Sequence, residues 1–487
     1  MTTRALLPRS ARRRALALLL ALLTALLPLP AAADQLPALG SETGGELTAS
    51  QEVQIGQRFL AQAQQQLQFV HDPEVVGYVR LLGHRIAAQT DFHAYPFHFY
   101  VIKDPSLNAF AVPGGHIFVH SGLIEDTDTP AELAGVLAHE VAHITQRHMA
   151  RQLAASKQSQ LQSLLLVAAG VLAGMQGQGQ AATALVAGAS AYSQQEMLSY
   201  SRAHEREADR LGVRYLAAAG FDPEGLPHFL EKLQRWAHLQ GKAPPPFLST
   251  HPLTGNRIAD AESRASQLGG GSGPPPLGEA TFARIKARLK AMTADSPADA
   301  YRDFKQRLAD HPDDGAARYG LALAAERSGR TDEATDTLRR LVADHPETVA
   351  YRRTLAELYL QAGHTGDAVS TLQEALERRP GDADLRETLG LALLAQGQAE
   401  RARDLLREVA RDFPRRPSAH SALARAYSRL HQPIRAHRSE AEARWLSGQR
   451  TEALEQLRLA KRLAKEQGSE QLAQIEARIQ ELKPADS

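Results

Sequence analysis

Thr129-Pro130-Ala131-Glu132-Leu133-Ala134-Gly135-Val136-Leu137-Ala138-His139-Glu140-Val141-Ala142-His143-Ile144 is the stretch on which the reading of this chain turns. Thr129 is a candidate N-cap, Pro130 suits the first helical position, and Glu132 stands three residues past the cap, the pattern of a capping box. Apolar Leu133, Val136, Leu137, Val141 and Ile144 recur at helical spacing. The helix therefore runs through His139 and His143, whose four-residue spacing stacks both imidazoles on one face, where they can share one metal. Glu140, turned by about 100° from His139, can flank that metal without binding it. There it can take a proton from attacking water and return one to the leaving amine. Zinc would lower the pKa of that water toward about 7. A chain with 19 His and 55 acids meets such a motif by chance about 0.08 times, so the context has to decide.

A catalytic zinc needs a third protein ligand and an open position. The spacing that would supply a later His on an extended motif finds Met149 and Gln146 instead. His148 falls on the opposite side of a continued helix and reads as a bystander. Glu205-Arg206-Glu207-Ala208-Asp209 offers a carboxylate ligand from a second polar helix over about 194–218. Glu205 is the expected ligand. Asp209, one turn on and on the same face, can accept a hydrogen bond from the second nitrogen of a ligand His. Glu207 points about 200° away from Glu205 and lacks an acid at i+4.

Outward from the zinc helix, two helical patterns cover about 49–67 and 74–89, and Phe97–Ile102 alternates as a strand. Ala109–Val112 and Ile117–Val119, joined by Pro113-Gly114-Gly115, predict a hairpin. Residues 161–191 are uncharged and rich in small residues; they read as packed helices or as a lid touching a membrane surface through Leu164–Met175. Gly269-Gly270-Gly271-Ser272-Gly273-Pro274-Pro275-Pro276 reads as a linker. Beyond it, Gly329, Gly363 and Gly397 recur every 34 residues, as do Ala334, Ala368, Ala402 and Ala436, and Pro312, Pro346, Pro380 and Pro414. Three markers in one register predict a tetratricopeptide array of paired helices offering a concave face to peptides or proteins. His431 replaces the fourth Gly and predicts a less regular turn. Tyr301–Ala309 reads as a half-repeat, and 441–446 with 451–464 as a further helix pair.

The composition limits what the chain can do. Lys and Arg number 56 against 55 Asp and Glu, leaving no basic surplus for nucleic acid. There are no cysteines, so any metal is held by His and carboxylates. Arg4, Arg9 and Arg12 to Arg14, the apolar run Ala15–Leu27 and Ala31-Ala32-Ala33 read as a cleaved signal peptide over 1–33. Export without cysteine suggests a bacterial periplasm. The expected order is a peptidase domain over 34–268, a linker over 269–278 and repeats over 279–487. The fold class is mainly α (α+β), with a small hairpin or sheet beside the zinc helix and an α-solenoid after it.

The His139–His143 motif, Ser201 to Asp209, Asn108-Ala109-Phe110-Ala111-Val112-Pro113-Gly114-Gly115-His116-Ile117 and Ser249-Thr250-His251-Pro252 together resemble the HtpX and CAAX-prenyl-protease type of gluzincin metallopeptidase. With a signal peptide and a repeat array in one chain, the resemblance extends to periplasmic proteases of outer-membrane quality control. It implies one Zn2+ per subunit held by His139, His143 and Glu205, with Glu140 catalytic and Asp209 supporting. It implies that His251 sits near the zinc and can occupy its open position in a latent state, or stabilise an oxyanion once displaced. It implies degradation of stalled or misassembled outer-membrane β-barrel proteins, help in their assembly, and contact with the assembly machinery through the repeats. The hairpin has a matching role, because an extended substrate can add to an exposed strand edge, for which Ile117, Phe118 and Val119 are the candidates. The competing expectation is a chaperone or adaptor that works through its repeats with the zinc site shut.

Overall fold

The computed structural model describes residues 47–155, 202–239, 245–269, 278–447 and 449–482. The expected signal peptide, the Leu164–Met175 run and most of the expected linker lie outside these residues. No helix among the described residues is long and apolar enough to cross a membrane.

Local signals start the elements where the sequence places them. Thr48 caps α1 (Ala49–Gln66) in a reciprocal box with Gln51. Asp72 caps α2 (Pro73–Ala87) by accepting the Val75 N–H, and Pro73 fills the first turn. Three strands follow: β1 (His98–Ile102), β2 (Ala109–Val112) and β3 (His116–His120). The β2–β3 hairpin forms as expected, with Val112 opposite His116. Its turn places Gly114 and Gly115 at φ 83° and 87°, a conformation glycine adopts without strain. A Cβ on Gly115 would also sit 2.1 Å from the Pro96 carbonyl oxygen.

The sheet order is β1-β3-β2, with β1 parallel to β3. This corrects the expected substrate edge. Ile117, Phe118 and Val119 lie on the central strand, with their backbone paired on both sides, so they cannot receive another strand. The parallel return of β1 beside β3 leaves β2 at the edge of the sheet.

After the short α3 (Ser121–Asp126), α4 (Pro130–Thr145) runs through the protein interior. Thr129 accepts the Glu132 N–H, but the Glu132 carboxylate receives Asp128 N–H at 2.9 Å instead of closing the box on Thr129. Leu133, Val136, Leu137 and Val141 are fully buried. At about 1.5–3 kcal/mol per side chain, their burial stabilises a helix whose next turn carries costly polar groups. Arg147 adopts a left-handed φ of 51° and ends the helical path, and α5 (His148–Ala155) starts in a new direction. Then come α6 (Arg202–Ala218), α7 (Gly225–Leu239), the single turn α8 (Pro246–Thr250) and α9 (Gly255–Leu268). α6 crosses α4 closely enough that a Cβ on Gly212 would lie 3.2 Å from the His139 nitrogen. Helices α2, α4, α6, α7 and α9 and the sheet share one hydrophobic core.

Helix α10 (Glu279–Thr293) belongs to two cores. Phe282, Ile285 and Leu289 pack into that of the peptidase-like part, while Ala287 and Ala291 pack into that of the following helices. The following helices are α11 (Pro297–Asp310), α12 (Gly315–Arg327), α13 (Thr331–Asp344), α14 (Val349–Gln361), α15 (Thr365–Arg378), α16 (Ala383–Ala395), α17 (Ala399–Asp412), α18 (Pro417–Arg429), α19 (Pro433–Leu446), α20 (Arg450–Glu466) and α21 (Leu472–Leu482); α11 to α19 share that core, and α20 and α21 pack with α19 in another. The 34-residue markers have the expected places. Gly329, Gly363 and Gly397 take φ of 77° to 82° in the inter-helix turns. Ala334, Ala368 and Ala402 are fully buried and let the helices approach. Two expectations are corrected. His431 takes the same left-handed turn at φ 54°, so the fourth unit is regular. Residues 441–446 are the end of α19, and the last pair is α20 with α21.

A buried polar junction joins the two parts. Arg288 of α10 binds the Asp72 carboxylate with both Nε (2.9 Å) and Nη2 (2.6 Å). Its Nη1 donates to Tyr319 Oη at 2.7 Å and Thr354 Oγ1 at 3.2 Å. Glu74 pairs with Arg284 and with Arg353 of α14. The N-cap of α2 is thus held by the start of the repeat array.

Candidate metal centre

His139, His143, Glu205 and His251 converge in the core, each offering a ligand atom within 4.8 Å of the others. All four are buried. His139 and His143 come from the last two turns of α4, and Glu205 from the first turn of α6, which lies across it. His251 is the C-cap of α8: its N–H donates to Phe247 O at 2.7 Å and its ring stacks on Phe247 at 4.5 Å.

The donor atoms form the edges of a small polyhedron. His139 Nε2 lies 3.0 Å from His143 Nε2, 3.5 Å from Glu205 Oε2 and 3.4 Å from His251 Nδ1. Glu205 Oε1 lies 3.6 Å from His143 Nε2 and 3.2 Å from His251 Nδ1. A tetrahedral ion with bonds of about 2.0–2.1 Å has ligand–ligand edges of about 3.3–3.4 Å. The residues fit a metal ion. His139 Nδ1 lies 3.0 Å from Asp209 Oδ1, which turns Nε2 toward the cluster.

Asp209 lies one turn from Glu205 on α6, against the second nitrogen of His139. The sequence reading missed its partner. Arg257 of α9, buried, donates to both Asp209 oxygens at 2.7 and 2.8 Å and lies 2.8 Å from Glu205 Oε2. Its Nη1 also donates to Pro252 O at 2.8 Å, which ties down the loop that follows His251. The signal was present in outline: two acids at i and i+4 on a buried face need a counter-charge. Nothing in the spacing says which of the chain's arginines supplies it.

His148 is a second correction. The left-handed Arg147 turns it back toward α4, so it is not on the far side of a continued helix. It is fully buried, with Nδ1 2.8 Å from His143 Nδ1 and Nε2 3.1 Å from Glu207 Oε2. Glu207 is accordingly outside the metal cluster, paired to His148 and to Arg151 at 2.9 Å.

The electrostatics follow the burial. Burial opposes charge on His139, but the Asp209 and Glu205 carboxylates outweigh it and lift its pKa to about 9. Burial drives His143 well below its ordinary value. Glu205 is held well below the usual carboxylate range, because His251 and His139 outweigh its burial. Glu140, fully buried beside the cluster with Oε1 3.5 Å from His251 Nε2, is pushed up by burial, the direction a proton-accepting carboxylate requires. The Ala111 main-chain N–H on β2 faces the Glu140 carboxylate and partly offsets that rise.

Residues 73–265 match the sequence profile described as Peptidase family M48. Over these residues the chain is similar to that family. The M48 segment is followed by two matches to a tetratricopeptide repeat profile, over 291–358 and 359–426. The chain is 36% identical over 320 residues to the Beta-barrel assembly-enhancing protease of Escherichia coli (strain K12), covering 63% of this chain and 63% of that protein. It is 34% identical over 319 residues to the protein of the same name from Yersinia pestis, covering 64% of this chain and 63% of that one. To the Mitochondrial metalloendopeptidase OMA1 of Schizosaccharomyces pombe it is 33% identical over 185 residues, covering 38% of this chain and 51% of the relative. The match thus spans less than two thirds of these relatives' length. The OMA1 alignment, over 185 residues, falls within the size of the M48 part, and those over 320 and 319 residues are long enough to extend beyond it. The similarity to M48 points to a metal cofactor, which the cluster of His139, His143, Glu205 and His251 fits.

Proposed function

We propose that the chain is a zinc-dependent endopeptidase of the periplasm that degrades stalled or misassembled outer-membrane β-barrel proteins and assists their assembly. The observation that carries this reading is the buried cluster of His139, His143 and Glu205 with Glu140 beside it and Asp209 behind His139. Zinc would be held by His139, His143 and Glu205, and it would polarise the scissile carbonyl and acidify water there. The chain's own residues supply the rest. Glu140 takes the proton of the attacking water and returns it to the leaving amine. Asp209 keeps His139 in the tautomer that presents Nε2. Arg257 keeps Asp209 and Glu205 charged. The edge of β2 away from β3, with the Ala111 N–H directed at Glu140, is where an extended segment would add as a strand. The repeats after α10 would gather unfolded substrate and dock on the assembly machinery. The names of the relatives and the M48 match support this choice of substrate class.

A second reading is favoured by one observation. His251 occupies the fourth corner of the cluster, so the resting site is closed and the chain could act chiefly as a chaperone or adaptor through its repeats. One experiment separates the two. Glu140→Gln is expected to keep one zinc per chain and to lose cleavage of a misassembled β-barrel protein. Full complementation of a gene deletion by that variant would favour the chaperone.

A further inference from the structure

We propose that His148 is a positioning residue of the metal centre, a neutral imidazole that accepts the Nδ1 proton of His143 and so directs His143 Nε2 at the cluster. The proposal rests on the reading of the cluster as a metal site, and the geometry carries it as follows.

Two imidazole nitrogens 2.8 Å apart, His143 Nδ1 and His148 Nδ1, share one proton between them. The other nitrogen of His148 settles which ring owns it. Nε2 faces Glu207 Oε2 at 3.1 Å, and Glu207 is held there by Arg151 at 2.9 Å. An ionised carboxylate only accepts, so the His148 proton sits on Nε2. A neutral His148 then has a bare Nδ1, and the shared proton belongs to His143 Nδ1. That leaves His143 Nε2 with a lone pair toward His139 Nε2, 3.0 Å away.

The two ligand histidines are therefore backed differently. His139 donates directly to a carboxylate, Asp209 at 3.0 Å. His143 donates through an interposed imidazole to Glu207, a longer relay. The surroundings hold that imidazole in one orientation. The His204 ring stacks on His148 at 4.4 Å and 12°, and Arg147, whose left-handed turn aims His148 inward, is itself paired to Glu52 at 2.7 Å. Partners of this kind fix the tautomer of a ligand His, and their loss weakens metal binding about 10–100-fold.

The test uses the full mature chain and two readouts that do not depend on proteolysis: zinc affinity by competition with a chromophoric chelator, and the visible spectrum of the Co2+-substituted protein. His148→Leu removes the acceptor. It is expected to lower zinc affinity by about 10–100-fold and to shift the Co2+ bands. His148→Asn keeps an acceptor oxygen near the place of Nδ1 but cannot reach Glu207. It is expected to stay within a few-fold of the parent protein, with an unshifted spectrum. An unchanged affinity and spectrum in His148→Leu would overturn the proposal, as would His148→Asn binding as weakly as His148→Leu. If His148→Leu does not fold, His148→Asn decides alone, parent-like affinity supporting the role and a 10-fold or greater loss overturning it. Failure of the parent protein itself to bind zinc or Co2+ would overturn the metal reading together with this one.

Discussion

The Arg257 guanidinium closes on both carboxylate oxygens of Asp209, at 2.7 and 2.8 Å, with both side chains buried. The same side chain reaches Glu205 at 2.8 Å. Two buried carboxylates one helical turn apart thus share one planar cation. Removing a single partner of a buried charge pair costs about 3–5 kcal/mol, because the other charge stays buried. Arg257→Leu is therefore expected to lower the stability of the metal-free protein by several kcal/mol and to weaken zinc binding. Arg257→Lys should recover only part, since an ammonium cannot hold two oxygens in a fork. Urea unfolding of the metal-free proteins measures the first effect and chelator competition the second. Equal stability of Arg257→Leu and the parent would contradict this account.

The junction between Asp72 and Arg288 makes stability depend on pH. Burial raises the Asp72 pKa, but the Arg288 hydrogen bonds and charge outweigh it, and the net shift is downward. A carboxyl with a folded pKa below its unfolded value of about 3.9 contributes stability that is present above that value. It is lost as pH falls through the folded pKa. Unfolding midpoints measured from pH 6 to pH 2.5 should therefore drop below about pH 4, and Asp72→Asn should flatten that slope while lowering stability at pH 6. Asp72 also caps α2, so Asp72→Ala should cost about 1 kcal/mol more than the charge alone explains.

Legibility in the sequence followed the range of the interaction. The α4 start, the β2–β3 turn and the 34-residue register rest on neighbours within a few positions, and Thr129, Gly115 and Gly363 could be read directly. Glu205 and Asp209 were legible because one helix carries both and the chemistry of a metal shell demands them. His148 was misread because the helix rule was carried past residue 145, while Arg147, at φ 51°, breaks it. Ile117, Phe118 and Val119 were misplaced for a related reason. A hairpin names its two strands but not which of them a third strand covers, and β1 covers β3. Arg257 is 48 positions from Asp209, and no local pattern joins them.

His431 tests the repeat register. Its φ of 54° matches the glycines of the other turns, and Gln432 N–H reaches Tyr427 O at 2.9 Å just as Arg330 N–H reaches Ala325 O. A left-handed conformation costs a residue with a Cβ about 1–2 kcal/mol, part of which glycine returns as unfolded-state entropy. His431→Gly is expected to stabilise the array by about 0.5–1 kcal/mol, read as a raised urea midpoint at unchanged slope. A loss of stability would mean that the His431 side chain makes a contact worth more than the strain.

The position of His251 predicts latency. Its ring is fully buried between Glu205, at 3.2 Å, and Glu140, at 3.5 Å, and under the proposed function it would stand where substrate and attacking water enter. Catalysis needs an open position that a fourth protein ligand fills. His251→Ala is therefore expected to raise the rate of cleavage of a disordered protein several-fold and to leave zinc content at one per chain. Zinc affinity should fall less than in His139→Ala, which also strips the Glu205 and Asp209 carboxylates of their imidazole partner. The ring also stacks on Phe247 at 4.5 Å, and α8 is a single turn, so the release needs only a small segment to move. A reduced rate in His251→Ala, with zinc retained, would instead assign the ring to the reaction itself, as a donor to the oxyanion that forms at the scissile carbonyl. The steady-state split distinguishes the cases further. Removal of a plug lowers KM and raises kcat/KM, whereas loss of an oxyanion donor lowers kcat by about 100-fold or more with KM little changed.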